Sequence, residues 1–335
     1  MKKTLIAISV LVFVVGMVFG GGAGEEAEEA MDEPIVLRLA ETHVQDYPTT
    51  QGNYYFAELV EERTDGRIRI EVYHSSQLGE ERDVIEQVQF GAIDFTRVSI
   101  SPLAAFSPSL DALQMPYLYR DADHMWDVLK GEIGDEFLAS LEPADFVGLA
   151  WYDSGARSFY NSVREIESVA DMEGLKIRVQ QSDLMVGLVE ALGAVATPMP
   201  FGEVYSGLQT GVIDGAENNW PSYYSTSHYE VAQYFTLDRH TRVPEILIAS
   251  KIVMDRLSEE DQEIIRRAAK DSIDYQIEQW ADFVEVAERE IREAGNVITE
   301  LTPAAYEEFQ DAMQPLYDRL SPELQDVVAR IRAVR

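Results

Sequence analysis

From residue 34 onward the chain alternates short apolar–polar runs with stretches of helical spacing. "PIVLRLAETH" alternates as a strand and leads into a loop ending in "DYPTT". "NYYFAELVEERTDG" has helical spacing and stops at Asp65-Gly66, "RIRIEVYH" alternates again, "GEERDVIEQVQFG" is a helix ending at Gly91, and "AIDFTRVS" is the next strand. This β-α-β-α-β order predicts a mostly parallel sheet covered by helices. The second half repeats it: strand "GLKIRVQ", helix "SDLMVGLVEALG", strand "AVATPMP", helix "FGEVYSGLQTG", strand "VIDGAENN". "VQFGAID" (88–94) also resembles "LQTGVID" (208–214), each placing a helix-ending glycine before a short apolar strand that closes on Asp. Two similar lobes account for both halves better than a tandem array of short units.

The last third is helical. Ser258-Glu259-Glu260-Asp261 predicts a capped start, and the pattern runs without proline to about Gly295, on the order of 55 Å at 1.5 Å per residue. A helix that long is expected to bridge the lobes. Thr302-Pro303 and Ser321-Pro322 open two further helices.

The N-terminus changes the picture of where the fold begins. Two lysines, an almost wholly apolar run "LIAISVLVFVVGMVF" and small residues at 20–24 have the layout of a cleaved secretory signal peptide. The run is shorter than the roughly 20 residues that span a bilayer. The acidic "GEEAEEAMDE" reads as a solvated tether. The chain has 27 Lys and Arg against 60 Asp and Glu, a formal net charge of −33, which argues against nucleic acid and anionic lipid as partners. It has no cysteine, so stability must come from core burial.

Enzyme signatures are absent. There is no His-Glu-x-x-His, no Gly-x-Ser-x-Gly and no Walker-type phosphate loop, and the five histidines do not pair at metal-ligand spacing. No catalytic residue, metal or cofactor is nominated. What the pattern does contain is arginine near strand ends: Arg97 in "IDFTRVS", Arg157 in "DSGARSFYNS" and Arg178 in "LKIRVQQ". A guanidinium there presents a planar fork of donors to a carboxylate, although any one of them would serve equally as a structural ion-pair partner. "DGAENNWPSYY" adds Asn218 and Asn219 past a strand, then Trp220, which suit a polyhydroxylated ligand or simply pack a loop.

At these residues the sequence resembles a known family. The block "ADMEGLKIRVQQSDLMVGLVEALGAVATPMPFGEVYSGLQTGVIDGAENNW" is similar to the signature region of DctP-type substrate-binding proteins of TRAP transporters, and the resemblance runs from about Ile35 to the C-terminus. It implies an α/β, two-lobed periplasmic binding protein fold with an interlobe cleft, crossing strands and a long bridging helix. It also implies a small organic acid as ligand, TRAP membrane permease subunits as partners, and a periplasmic location for a mature chain not inserted in the membrane. The implied division is a signal peptide at 1–24, a tether at 25–33, lobe I at 34–154 with 244–283, and lobe II at 155–243 with 284–335.

Carried over by motif, Arg178 clamps the substrate carboxylate, with Arg157, Asn218, Phe201 and Gln181 beside it. His43, Glu81, Arg82, Arg97, Ser99 and Trp220 are looser candidates. "GARSFYNS" with "AENNWPSY" resembles the subgroup that takes glucuronate and galacturonate. Arg97, Arg82 and His43 would suit either sugar hydroxyls or a second carboxylate, which leaves C4-dicarboxylates open. A carbohydrate-active enzyme and a ligand-sensing module are the readings from other classes.

Overall fold

Eleven strands carry the architecture in the computed structural model, which describes residues 33–335. The signal-peptide call, and all of the tether but Glu33, lie outside the described residues. In chain order the strands are β1 (Ile35–Ala40), β2 (Ile68–Tyr73), β3 (Phe95–Ser99), β4 (Phe146–Tyr152), β5 (Ala156–Asn161), β6 (Lys176–Val179), β7 (Val195–Pro198), β8 (Gly215–Asn218), β9 (Tyr234–Arg242), β10 (Glu245–Ser250) and β11 (Val297–Thr299). They form a five-stranded sheet ordered β2-β1-β3-β10-β4 and a six-stranded sheet ordered β11-β9-β5-β8-β6-β7. One sheet centres each of two lobes.

The two β-α-β-α-β units occupy matching places. β1 pairs in parallel with β2 and β3, as β6 does with β7 and β8. The likeness of 88–94 to 208–214 has a physical basis. Gly91 and Gly211 both end helices at positive φ (71° and 74°), where a Cβ would be strained. Each following aspartate then ties down the central strand. Asp94 Oδ2 accepts the Arg38 backbone N–H at 2.6 Å, and Asp214 Oδ2 accepts that of Lys176 at 2.9 Å.

The expectation of mostly parallel sheets needs correcting. Four of the nine strand pairs are antiparallel, all involving β5 or β10. The cause is the chain's two passages between lobes. β4 runs into β5 through residues 153–155, and β9 into β10 through 243–244, so each sheet receives strands of reversed sense. The passages are joined to each other, since Ser154 Oγ donates to the Val243 carbonyl at 2.6 Å.

The helix Glu259–Glu293 spans about 52 Å for its 35 residues. It packs on the helix Pro48–Arg63 and β4 of one lobe and on the helix Trp220–Ser225 of the other. Gln276 on it brackets one crossing, accepting the Asp153 N–H at 2.7 Å and donating to the Asp153 carbonyl at 3.0 Å. The predicted caps form. Ser258, Thr302 and Ser321 each accept the backbone N–H three residues on.

Candidate functional site

The two sheets face each other across a cavity of about 330 Å³ of free space. Its two walls differ in charge. The five-stranded lobe contributes Thr42 and His43 from the loop after β1, Glu81 from the first residue of the helix Glu81–Gln89, and Glu245 from the start of β10. The six-stranded lobe contributes Arg157 of β5, Arg178 of β6, Gln180, Phe201, Asn218 at the end of β8, Asn219 and Ser222.

Strand sense explains why two arginines distant in sequence meet. β5 is antiparallel to β8, with Ser158 opposite Asn218, so the first residues of β5 lie beside the carboxyl end of β8. Arg178 sits near the carboxyl end of β6, which is parallel to β8. Ligands collect beyond the carboxyl ends of such strands.

The three buried arginines are not equivalent. Arg157 is neutralised: its Nε and Nη2 donate to the Glu217 carboxylate, the latter at 2.8 Å, and its Nη1 donates to Asn218 Oδ1 at 3.1 Å. Behind that pair, His240 Nε2 lies 3.4 Å from Glu217 and Nδ1 lies 2.7 Å from Asp238. Burial alone would raise the Glu217 carboxyl, but Arg157 and His240 outweigh it and hold it down to about 2. Burial opposes charge on His240 too, yet Asp238 and Glu217 raise it to about 9.

Because the folded value of His240 lies above its ordinary 6.5, its contribution to stability is complete below about pH 6.5 and is lost as pH rises through about 9. The unfolding free energy of His240→Gln in urea melts is therefore expected to fall furthest below wild type at pH 6. That gap should close by pH 10.

Arg97 is sealed in lobe I with no exposed surface. Its Nε donates to Glu41 Oε2 at 2.9 Å and its Nη1 to Glu245 Oε2 at 2.6 Å and Glu81 Oε1 at 3.3 Å. Its Nη2 bonds Glu41 as well. Arg178 is 3% exposed and differs from both: Nε and Nη2 donate to the Met199 carbonyl at 2.9 and 2.7 Å, and among the described residues no carboxylate forms a salt bridge with it. Burial, and then the neighbouring Arg157, lower its hold on the proton. It is a buried cation that faces a cavity with its charge unmatched.

On the opposite wall, burial and then Glu245 push the Glu81 carboxyl up to about 8, although the Ser99 N–H donates to it at 2.9 Å. His43 stacks on Tyr47, ring centroids 3.8 Å apart, and meets Phe201 edge-on at 4.9 Å. Burial, aided by Arg157, lowers its imidazole to about 3, so it is neutral.

Of the eleven residues singled out from the sequence, Arg178, Arg157, Asn218, Phe201, His43 and Glu81 come together around the cavity. The others do not line it. Gln181 borders a neighbouring opening beside Pro200, and Gln180 takes the place on the cavity. Arg82 is exposed and pairs with Glu86 at 3.8 Å. Arg97 and Ser99 act behind Glu81 and Glu245. Trp220 packs on Phe235, centroids 4.4 Å apart, and lies against Arg292. The lining residues not foreseen as site candidates are Thr42, Gln180, Asn219, Ser222 and Glu245. Gln180 was within reach as the first of the Gln-Gln pair, whereas Glu245 arrives through the second crossing and carries no local signal.

Comparison with known proteins gives a consistent result. The profile of the DctP family, described as bacterial extracellular solute-binding protein, family 7, matches residues 39–323. A solute-binding protein of Chromohalobacter salexigens is 41% identical over 293 residues, 87% of each chain. The solved structure of a TRAP periplasmic solute-binding protein from a Bradyrhizobium species, in complex with α/β-D-galacturonate, is 45% identical. It superimposes with a TM-score of 0.87 over 88% of this chain and 99% of that one. A TRAP solute-binding protein from Chromohalobacter salexigens with bound D-glucuronate is 40% identical, with a TM-score of 0.86 over 89% and 100% of the two chains.

Proposed function

The chain belongs to the DctP family of bacterial extracellular solute-binding proteins, and from that premise we propose that it binds a hexuronate, of the glucuronate or galacturonate type, in the interlobe cavity and hands it to a TRAP membrane permease. The observation that carries this reading is Arg178, a buried guanidinium with no carboxylate partner among the described residues, aimed at a cavity in which Arg157 is already neutralised. An anion with a carboxylate supplies the missing charge. Arg157, held rigid by Glu217, and Asn218 sit beside it to fix that carboxylate in place.

The opposite wall decides between a sugar acid and a dicarboxylate. The basic candidates that would hold a second carboxylate are not available to it: Arg97 is enclosed by Glu41, Glu81 and Glu245, Arg82 points outside, and His43 is neutral. What the ligand meets there is Glu81 and Glu245. Carboxyl groups accept hydrogen bonds from hydroxyls and repel a carboxylate. One carboxylate at one end and several hydroxyls at the other describe a uronate. The crystallised relatives holding galacturonate and glucuronate support the same choice.

Binding without turnover follows from this site. The acidic pair Glu81 and Glu245 is committed to Ser99 and Arg97, and His43 is packed between Tyr47 and Phe201. Ligand that touches both walls favours the closed arrangement of the lobes, since only there are both sets of contacts made. The crossings at 153–155 and 243–244 are where the lobes would pivot, which places the lobe limits at 34–154 with 244–283 and 155–243 with 284–335. A periplasmic location for the mature chain goes with the family. Among the described residues no helix is long and apolar enough to cross a membrane.

A thermal-shift panel of sugar acids, neutral sugars and C4-dicarboxylates tests the assignment. Glucuronate or galacturonate is expected to raise the melting temperature most, with glucose and succinate near zero. A larger shift with succinate or malate than with any uronate would reject it.

A further inference from the structure

Beyond the cavity lies a second, outer chamber. It shares Thr42, His43 and Phe201 with the inner cavity and has a volume of about 720 Å³, counting its open mouth. Both lobes build it: Ser75, Ser76 and Glu80 come from one, and Tyr205, Ser225 and Thr226 from the other. The partition between the two spaces is made of side chains. His43 and Phe201 meet edge to face there, and neither is fully buried. Rotation of these rings joins the spaces without moving a strand.

The chemistry of the chamber differs from that of the cavity. It has no lysine or arginine in its lining. Its two histidines are neutral: burial lowers His43 and His228 to about 3, with Arg157 adding to the effect on the first and Arg178 on the second. Hydroxyl groups dominate the rest, with Tyr205 as an aromatic face and Glu80 as a hydrogen-bond acceptor. Glu80 also reaches across the mouth toward the Gly202 backbone N–H at 3.4 Å. The backbone on the near side is held in an unusual form, with Ser75 and Ser76 both at positive φ (56° and 54°). Non-glycine residues in that region carry strain that persists only where the surroundings impose it, and they cluster at ligand sites.

We propose that the outer chamber is a subsite for a neutral sugar glycosidically linked to the uronate, so that the protein accepts aldobiouronates as well as free uronic acids. The inference rests on the uronate reading of the inner cavity. The absence of any cation in the lining excludes a second uronate unit there, because its carboxylate would be desolvated without a partner. The hydroxyls, the acceptor on Glu80 and the tyrosine face match a polyhydroxylated ring with one apolar side.

The test is calorimetric titration of the intact mature chain with free glucuronate and galacturonate, with aldobiouronates that join either acid to a neutral hexose or pentose, and with digalacturonate. Wild type is expected to bind at least one aldobiouronate within about tenfold of the free acid, and digalacturonate at least about tenfold more weakly than that aldobiouronate. Ser225→Trp, which fills the chamber, is expected to remove aldobiouronate binding and leave the free acid within about twofold. Tyr205→Ala provides the check should the tryptophan variant misfold, and is expected to weaken the disaccharide selectively. Binding of free acids with every aldobiouronate more than about a hundredfold weaker would overturn the proposal. So would equal losses for both ligands in the two variants. Failure of the free acids themselves would overturn the uronate reading, and the subsite with it.

Discussion

Arg178→Ala is expected to abolish uronate binding and leave the ligand-free protein as stable as wild type. In the ligand-free site this side chain is a buried charge beside a second buried guanidinium, without a carboxylate to match it. Such an arrangement is unfavourable until an anion arrives. Removing it leaves the ligand's carboxylate desolvated and partly unpaired, a loss of more than about 3 kcal/mol, or more than a hundredfold in affinity. The same substitution removes an uncompensated charge from the folded state. The ligand-free melting temperature should then stay within about 2 °C of wild type or rise. Titration showing near wild-type affinity would remove Arg178 from the clamp. A large drop in ligand-free stability would show that it is structural.

The opposite outcome is expected one lobe away. Arg97→Leu should bring down the fold before it affects the ligand. Arg97 is the shared cation of Glu41, Glu81 and Glu245, and its side chain has no exposed surface. Glu41 is also the acceptor for Asn53 Nδ2 at 2.8 Å and the His43 N–H at 2.8 Å, so the network reaches from the core to the cavity wall. Breaking a buried pair by removing one partner costs about 3–5 kcal/mol because the other charge is left buried and alone. Here the carboxylates left behind are more than one. A fall in melting temperature of several degrees or loss of soluble protein is expected, read by circular dichroism melts at pH 7. An unchanged melting temperature would contradict the role assigned to Arg97.

These two arginines also show what a sequence can carry. Each is read from the chain as a cation near a strand end, and nothing local distinguishes them. The distinction lies in partners far along the chain: Arg97 meets Glu245 across 148 residues and Glu41 across 56. Strands, caps and the long helix were legible because periodicity and N-terminal capping residues are local signals. The likeness of 88–94 to 208–214 pointed correctly to two units of one design, with Asp94 and Asp214 performing the same task. The antiparallel strands were not legible, since their sense depends on the chain crossing twice between lobes.

For the same reason Glu245 was missed. It is an ordinary residue at the start of "EILIAS" until the crossing at 243–244 delivers it opposite Arg178's wall. Gln181 and Gln180 differ by one position, and a half-buried strand end does not declare which of two neighbours faces a cavity. The aromatics after Asn219 were ambiguous between ligand platform and packing, and packing took them. Tyr223 stacks on Phe235 at 4.8 Å, within the core of its lobe.

The central claim is an orientation: carboxylate on the arginine wall, hydroxyls on the glutamate wall. A crystal structure of the complex with glucuronate or galacturonate tests it directly. The account expects both carboxylate oxygens within about 3 Å of Arg178 and Arg157 nitrogens, with sugar hydroxyls bonded to Glu81 or Glu245. A carboxylate seated on the Glu81 and Glu245 side, or a ligand held without contact to Arg178, would contradict it.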